Sequence, residues 1–171
     1  MIKYLKGILC LNFIQNIYFT KFHSLLRFGI LCWRVAGGEL ISKILSIQKR
    51  VIRLIAGVKP RTPCRQLFKE LNILTIVSLY IVEVESYLRK HHQIAELKPN
   101  VHTYNTQRQR DIHIQSYKTD LHKRSVVNME SKLYNKHPDY IKVESYKTFR
   151  KELNSFLLPH AFYSVEEFLA L

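Results

Sequence analysis

Between Glu39 and Gly57, Ile41, Ile44, Leu45, Val51, Ile52 and Ile55, with Gln48 among them, recur at spacings of three and four. That period gathers them on one side of an α-helix and suits no strand. Glu39 fits the positive end of such a helix, and Gly57 stands where a left-handed C-terminal cap is expected. Lys43, Lys49, Arg50 and Arg53 are predicted to share the opposite face. A helix with one apolar stripe is stable only when the stripe is covered, so the chain is expected to fold as helix against helix.

The same reading extends in both directions. Residues 2–35 are apolar and aromatic at helical spacing, densest from Leu25 to Trp33, and such a segment must be covered on most sides. Thr62-Pro63 reads as a cap followed by proline in a first turn, opening a short helix through Leu71. Thr75 is placed to cap a helix over about 76–91, with His91 and His92 in its last turn. Residues 93–110 are polar and aperiodic, a loop and the one internal boundary. Residues 111–117 alternate weakly, as a short strand would. A helix around Val126 to Tyr134 is stopped by Pro138, and another, capped by Ser145, carries Phe149, Leu153, Phe156 and Leu157 towards Pro159. Ser164 and Glu167 have capping-box spacing for a last short helix. The predicted fold is therefore mainly α, an irregular helical bundle with at most a short strand near residues 111–117. Its organisation is read as a helical region over 1–92, a linker over 93–110 and a C-terminal helical extension over 111–171.

Charge then narrows the partners. Lys and Arg number 27 against 13 Asp and Glu, a net charge of +14. So large an imbalance disfavours compaction, and its usual reason is a polyanion, an anionic surface or an acidic protein face. Cys10, Cys32 and Cys64 are odd in number and far apart, which fits a reducing compartment, each read as a small buried hydrophobe. Lys3 and Lys6 before Gly7 to Leu11 loosely imitate a signal peptide, but Asn12, Gln15 and Asn16 interrupt it. Lys21, Arg27 and Arg34 break the later apolar region, so no spanning helix is expected. The chain is read as intracellular, nuclear or cytoplasmic, with no membrane partner.

Catalytic patterns are missing. Two-metal chemistry needs converging carboxylates, yet Asp111, Asp120 and Asp139 are isolated, and Glu166-Glu167 is better explained by a helix start. No cysteine has a Cys or His partner at structural-zinc spacing, and His91, His92 and His102 are scattered. Binding is better supported. Residues 40–69 hold Lys43, Lys49, Arg50, Arg53, Lys59, Arg61, Arg65 and Lys69 without one acidic residue, a cluster able to follow a phosphate backbone. Arg108, Arg110, Lys118, Lys123 and Arg124 form a second cluster, diluted by Asp111 and Asp120, with Tyr104 and Tyr117 nearby.

Phe22-His23-Ser24 leads into Phe28-Gly29-Ile30-Leu31 and Trp33, and the pattern continues through Leu45 to Gly57, Cys64 to Thr75 and Ser78 to Ile81. His102-Thr103-Tyr104-Asn105-Thr106 and Leu133-Tyr134-Asn135-Lys136 follow in order. Together, from about Tyr18 to the C-terminus, these segments resemble the region after the polymerase core in jockey-like non-LTR retrotransposon reverse transcriptases of arthropods. Gln107 stands where that family usually has arginine, and His137 interrupts its usual leucine before Pro138. The resemblance implies a thumb-like and C-terminal piece of an RNA-directed DNA polymerase that grips an RNA/DNA template–primer. The catalytic aspartates and their Mg²⁺ belong to a palm upstream, so no residue here inherits them and no cofactor is expected in this chain. A second partner would be that palm with its fingers. Two other readings stay open, a helical protein-interaction module and a non-functional transposon remnant.

Overall fold

The computed structural model describes residues 10–36, 38–90, 111, 119, 126–143 and 146–171, and every regular element among them is helical. Helix α1 (Leu11–Ile17) runs through a π-helical segment (Tyr18–His23) into α2 (Ser24–Ala36), followed by α3 (Gly38–Ala56), α4 (Arg65–Glu70) and α5 (Ile76–Lys90). Helices α6 (Val126–Lys136), α7 (Asp139–Val143), α8 (Tyr146–Leu157) and α9 (Val165–Leu169) complete the bundle. The weak strand near 111–117 falls outside the described residues apart from Asp111, as do His91, His92 and the loop over 93–110.

The π segment has a cause in the sequence. Ile14, Tyr18, Leu26 and Ile30 are buried and Phe22 is half-buried, each four residues after the last. Around an α-helix of 3.6 residues per turn, a stripe spaced by four drifts about 40° per step, and would soon leave the core. The slower winding of a π turn returns it. Thr20 Oγ1 donates to the Asn16 carbonyl at 2.9 Å and Ser24 Oγ to the Thr20 carbonyl at 2.6 Å, occupying carbonyls there with side-chain donors.

Helix α5 is the axis of the fold. Ile76, Val77, Leu79, Tyr80, Ile81, Val82 and Val84 are all buried, because α2, α3, α6 and α8 pack around it. A helix apolar on so many sides must be enclosed. The main core runs from Leu26 and Ile30 through α5 to Leu133, Phe149, Leu153 and Phe168, so segments before residue 91 and after residue 110 share one interior. A second core joins Ile14, Tyr18, Ile52, Ile55, Cys64, Phe68 and Ile73.

Where α3 meets α5, the buried Gln48 ties three segments together. Its Nε2 donates to the Leu74 carbonyl and to Tyr18 Oη, each at 2.9 Å, and its Oε1 accepts from the Ile76 amide at 2.8 Å. Burial pushes the Tyr18 phenol up to about 12, with the Gln48 hydrogen bond opposing the shift. Thr75 caps α5 as expected, its Oγ1 accepting from the Ser78 amide at 3.1 Å and donating to the Phe162 carbonyl at 2.7 Å. Gly57 has φ 77, and the Val58 amide reaches back to the Arg53 carbonyl at 3.2 Å, closing α3 as its position predicted.

Two local expectations need correction. Helix α4 starts at Arg65 with Cys64 before it, so Thr62-Pro63 does not open it. The Thr62 amide is instead used in a turn with the Lys59 carbonyl at 3.1 Å, while Cys64 is drawn into the second core. Cys10 is exposed rather than buried; Cys64 is buried as read, and the Cys32 side chain lies outside the described residues.

Candidate nucleic-acid interface

The predicted cationic face of α3 divides in two. Lys43 and Arg50, seven apart, are exposed on the side away from the buried stripe. Lys49 and Arg53 lie on its flank, half-buried, where the chain after α3 folds back over them. The expectation that all four share one face is therefore corrected. The helical angle explains it: at about 100° per residue, position 49 falls about 40–60° and position 53 about 80–100° from buried 45 and 52, whereas 43 and 50 lie about 140–180° from them.

Arg53 Nε donates to the Thr62 carbonyl at 2.8 Å, bracing the turn that carries Lys59 and Arg61. Lys49 Nζ lies 3.6 Å above the ring of Tyr163, and the Arg65 guanidinium lies 4.6 Å from the same ring. Two cations over one aromatic ring gain from its quadrupole while repelling each other. Burial holds the Lys49 amine below its ordinary value, and the nearby Arg53 and Arg65 act in the same direction. Burial likewise raises the Tyr163 phenol, against the pull of Arg65.

Arg65 is also paired. Its Nη1 lies 2.8 Å from Glu167 Oε1, and Glu167 Oε2 accepts from the Tyr163 amide at 2.8 Å. Ser164 Oγ accepts from the Glu167 amide at 3.1 Å, so the expected cap of α9 is present. Burial pushes the Glu167 carboxyl up, but the Tyr163 amide and the Arg65 guanidinium outweigh it, and the net shift is down. The acid-free stretch over 40–69 thus acquires an acid from the far end of the chain. The capping-box spacing of Ser164 and Glu167 was a signal for the helix, not for this contact.

Lys43, Arg50, Lys59 and Arg61 are exposed and Lys69 is half-buried. Among the described residues, none of these five is drawn into an ion pair. They run along α3, the turn after it and α4, which places them on consecutive elements joined by short connections. The second basic cluster and Tyr104 and Tyr117 lie outside the described residues.

Other charge has gone inside. Lys142 Nζ meets Asp111 Oδ1 at 3.0 Å with side chains 5% and 4% exposed, and Glu85 Oε1 lies 3.3 Å from His137 Nε2 with neither side chain exposed. Arg89 donates to the carbonyls of Ile141 and Lys142 at 2.9 and 2.8 Å and lies 3.9 Å over the Phe149 ring. Sequence alone gave Asp111 no partner and did not single out Glu85. Among the described residues no group of His, Cys, Asp and Glu is arranged to hold a metal ion, and no helix is long and apolar enough to cross a membrane. What the exposed set can do chemically is bind an extended anion. Compared with protein-family models, with curated proteins and with solved structures, the chain matches none.

Proposed function

We propose that this chain is a nucleic-acid-binding, C-terminal piece of a retrotransposon RNA-directed DNA polymerase, performing no chemistry by itself. The observation that carries the binding is the run of cations Lys43, Arg50, Lys59, Arg61 and Lys69, without ion-pair partners among the described residues, along α3, the following turn and α4. Cations so spaced can meet successive phosphates of a template–primer duplex and release its counterions. The polymerase origin rests on the ordered sequence resemblance from about Tyr18 onward, and in that reading the palm, with its Mg²⁺, is supplied by other residues than these.

The test is a salt titration of duplex binding. Five phosphate contacts give a slope of log K against log salt of about −3.5 to −4.5. Reversing Lys43, Arg50 and Arg61 to Glu together should weaken binding in dilute buffer and flatten that slope. Equal affinity for the parent and the triple variant at low salt would remove the proposal.

One observation favours a protein-interaction module instead. Phe13, Leu25 and Phe28 are 61%, 67% and 91% exposed along α1 and α2. Association through such residues responds weakly to salt, whereas phosphate contact responds steeply.

A further inference from the structure

A second stripe shadows the buried one on α1 and α2. Phe13, Ile17, Lys21 and Leu25 each stand one residue before Ile14, Tyr18, Phe22 and Leu26. The π segment that keeps the inner four in line therefore keeps these four in line as well. Phe13, Lys21 and Leu25 are exposed and Ile17 is half-buried. Helix α3 repeats the arrangement, with Ile47 and Leu54, 49% and 39% exposed, one residue before the buried Gln48 and Ile55. With the half-buried Ile44 and Val51 they have the three–four–three spacing of a seam that receives another helix.

The two stripes look the same way. Helix α3 folds back along α2 and brings Gln48 to Tyr18, so the pair runs antiparallel. In an antiparallel pair of right-handed helices, the residues one before the facing ones point to the same side. Phe13, Leu25, Ile47 and Leu54 thus share one outward surface, and a grouped apolar surface marks an interaction site where a lone side chain does not. Charge says what covers it. Lys21 lies midway along its stripe, and Lys43 and Arg50 lie one turn before Ile47 and Leu54; all three are exposed and enter no ion pair among the described residues. Glu39 is the only acidic residue between positions 1 and 69. A second copy would bring the same cations against these, and residues 1–9 carry Lys3 and Lys6 but no acid. A phosphate backbone would meet the cations and leave the apolar side chains in water. A bilayer would immerse the apolar side chains but offers no fixed anion midway between them.

We propose that the outer surface of α1, α2 and α3 docks an acidic amphipathic helix of another protein. The apolar stripe of that helix covers Phe13, Leu25, Ile47 and Leu54, and its carboxylates meet Lys21 between them and Lys43 and Arg50 at the rim. The surface goes beyond the nucleic-acid role and does not depend on it, because its apolar residues and Lys21 lie outside the cationic run assigned to a duplex.

The full chain is titrated with a helical peptide of about three heptads that carries leucine at the two seam positions and glutamate beside them. The controls are a scrambled peptide of equal charge and the same striped peptide with lysine in place of glutamate. Leu25→Ser and Lys21→Glu change exposed positions, and far-ultraviolet circular dichroism confirms that both variants fold. The expected result is a preference of roughly tenfold or more for the acidic striped peptide over both controls. Leu25→Ser should lose about tenfold in that binding and keep its affinity for a duplex, and Lys21→Glu should narrow the preference for glutamate over lysine. Equal binding of striped and scrambled peptides overturns the proposal. So does self-association of the parent that Leu25→Ser abolishes, or capture by phosphatidylserine vesicles without peptide binding. If the chain ignores duplexes but keeps the preference for the acidic stripe, the nucleic-acid reading fails and this surface stands.

Discussion

Two clusters in this molecule combine cations, a carboxylate and an aromatic ring, and they differ mainly in water. Around the end of α5, Lys142 and Asp111 pair inside the protein while Arg89 lies over Phe149 and caps the carbonyls of α7. Around Tyr163, Lys49 and Arg65 share a ring, and the Arg65–Glu167 pair leaves the two side chains 45% and 34% exposed. In the first cluster each charge needs its partner, because removing one leaves the other in a medium that solvates it poorly. In the second, water and salt compete for every contact, so the same chemistry is weakly held and open to exchange with an outside anion. The comparison shows that net positive charge says little until it is known which cations the fold consumes.

The sharpest way to break this comparison is at Lys142. Lys142→Ala should cost more than about 1 kcal/mol in chemical denaturation, because it removes the ammonium held 3.0 Å from a buried carboxylate, and leave polyanion affinity of the folded protein unchanged. A loss below about 1 kcal/mol would place this pair among surface contacts.

Glu85 tests burial more finely. Burial holds its carboxyl above the ordinary value, outweighing the nearby His137, Arg89 and Lys142. A carboxyl raised in the folded state contributes stability that is fully present below its unfolded value of 4.5 and lost as pH rises through the folded one. Glu85→Gln should therefore match the parent at acid pH and gain on it as pH rises, read as a growing difference in urea midpoint. A variant that loses stability at neutral pH would mean that an ionised pair with His137 is needed.

The smallest effect is expected at Glu167. Its lowered carboxyl contributes stability present above its ordinary value of 4.5 and lost as pH falls, and exposure keeps that contribution minor. Binding should report it better. Glu167→Gln frees Arg65 for a phosphate, steepening the slope of log K against log salt by about 0.7 to 0.9. An unchanged slope would mean that Arg65 stays on Tyr163 regardless.

What could be read beforehand was whatever depends on neighbours in sequence. The stripe of α3, the cap at Thr75, the reversal at Gly57 and the Ser164–Glu167 box are set by spacings of three or four, and they stand where spacing put them. The π segment escaped because a stripe spaced by four reads as ordinary helix until its angular drift is summed over several turns. Proline after threonine suggested a helix start at Thr62, but the core's demand for Cys64 shifted it to Arg65. Of the eight candidate cations, Arg53, Lys49 and Arg65 are engaged by Thr62, Tyr163 and Glu167. Two of those engagements join residues from opposite ends of the chain, and no local pattern encodes them.

Gln48 has a kinetic consequence. The first turn of α5 is completed by an amide from another helix and by the Thr75 hydroxyl, which also grips the Phe162 carbonyl. The axis of the bundle therefore cannot acquire a finished beginning by local winding alone. Docking of α3 and arrival of the C-terminal turn are the steps that complete it, so refolding should gain secondary and tertiary signals in one phase rather than in succession.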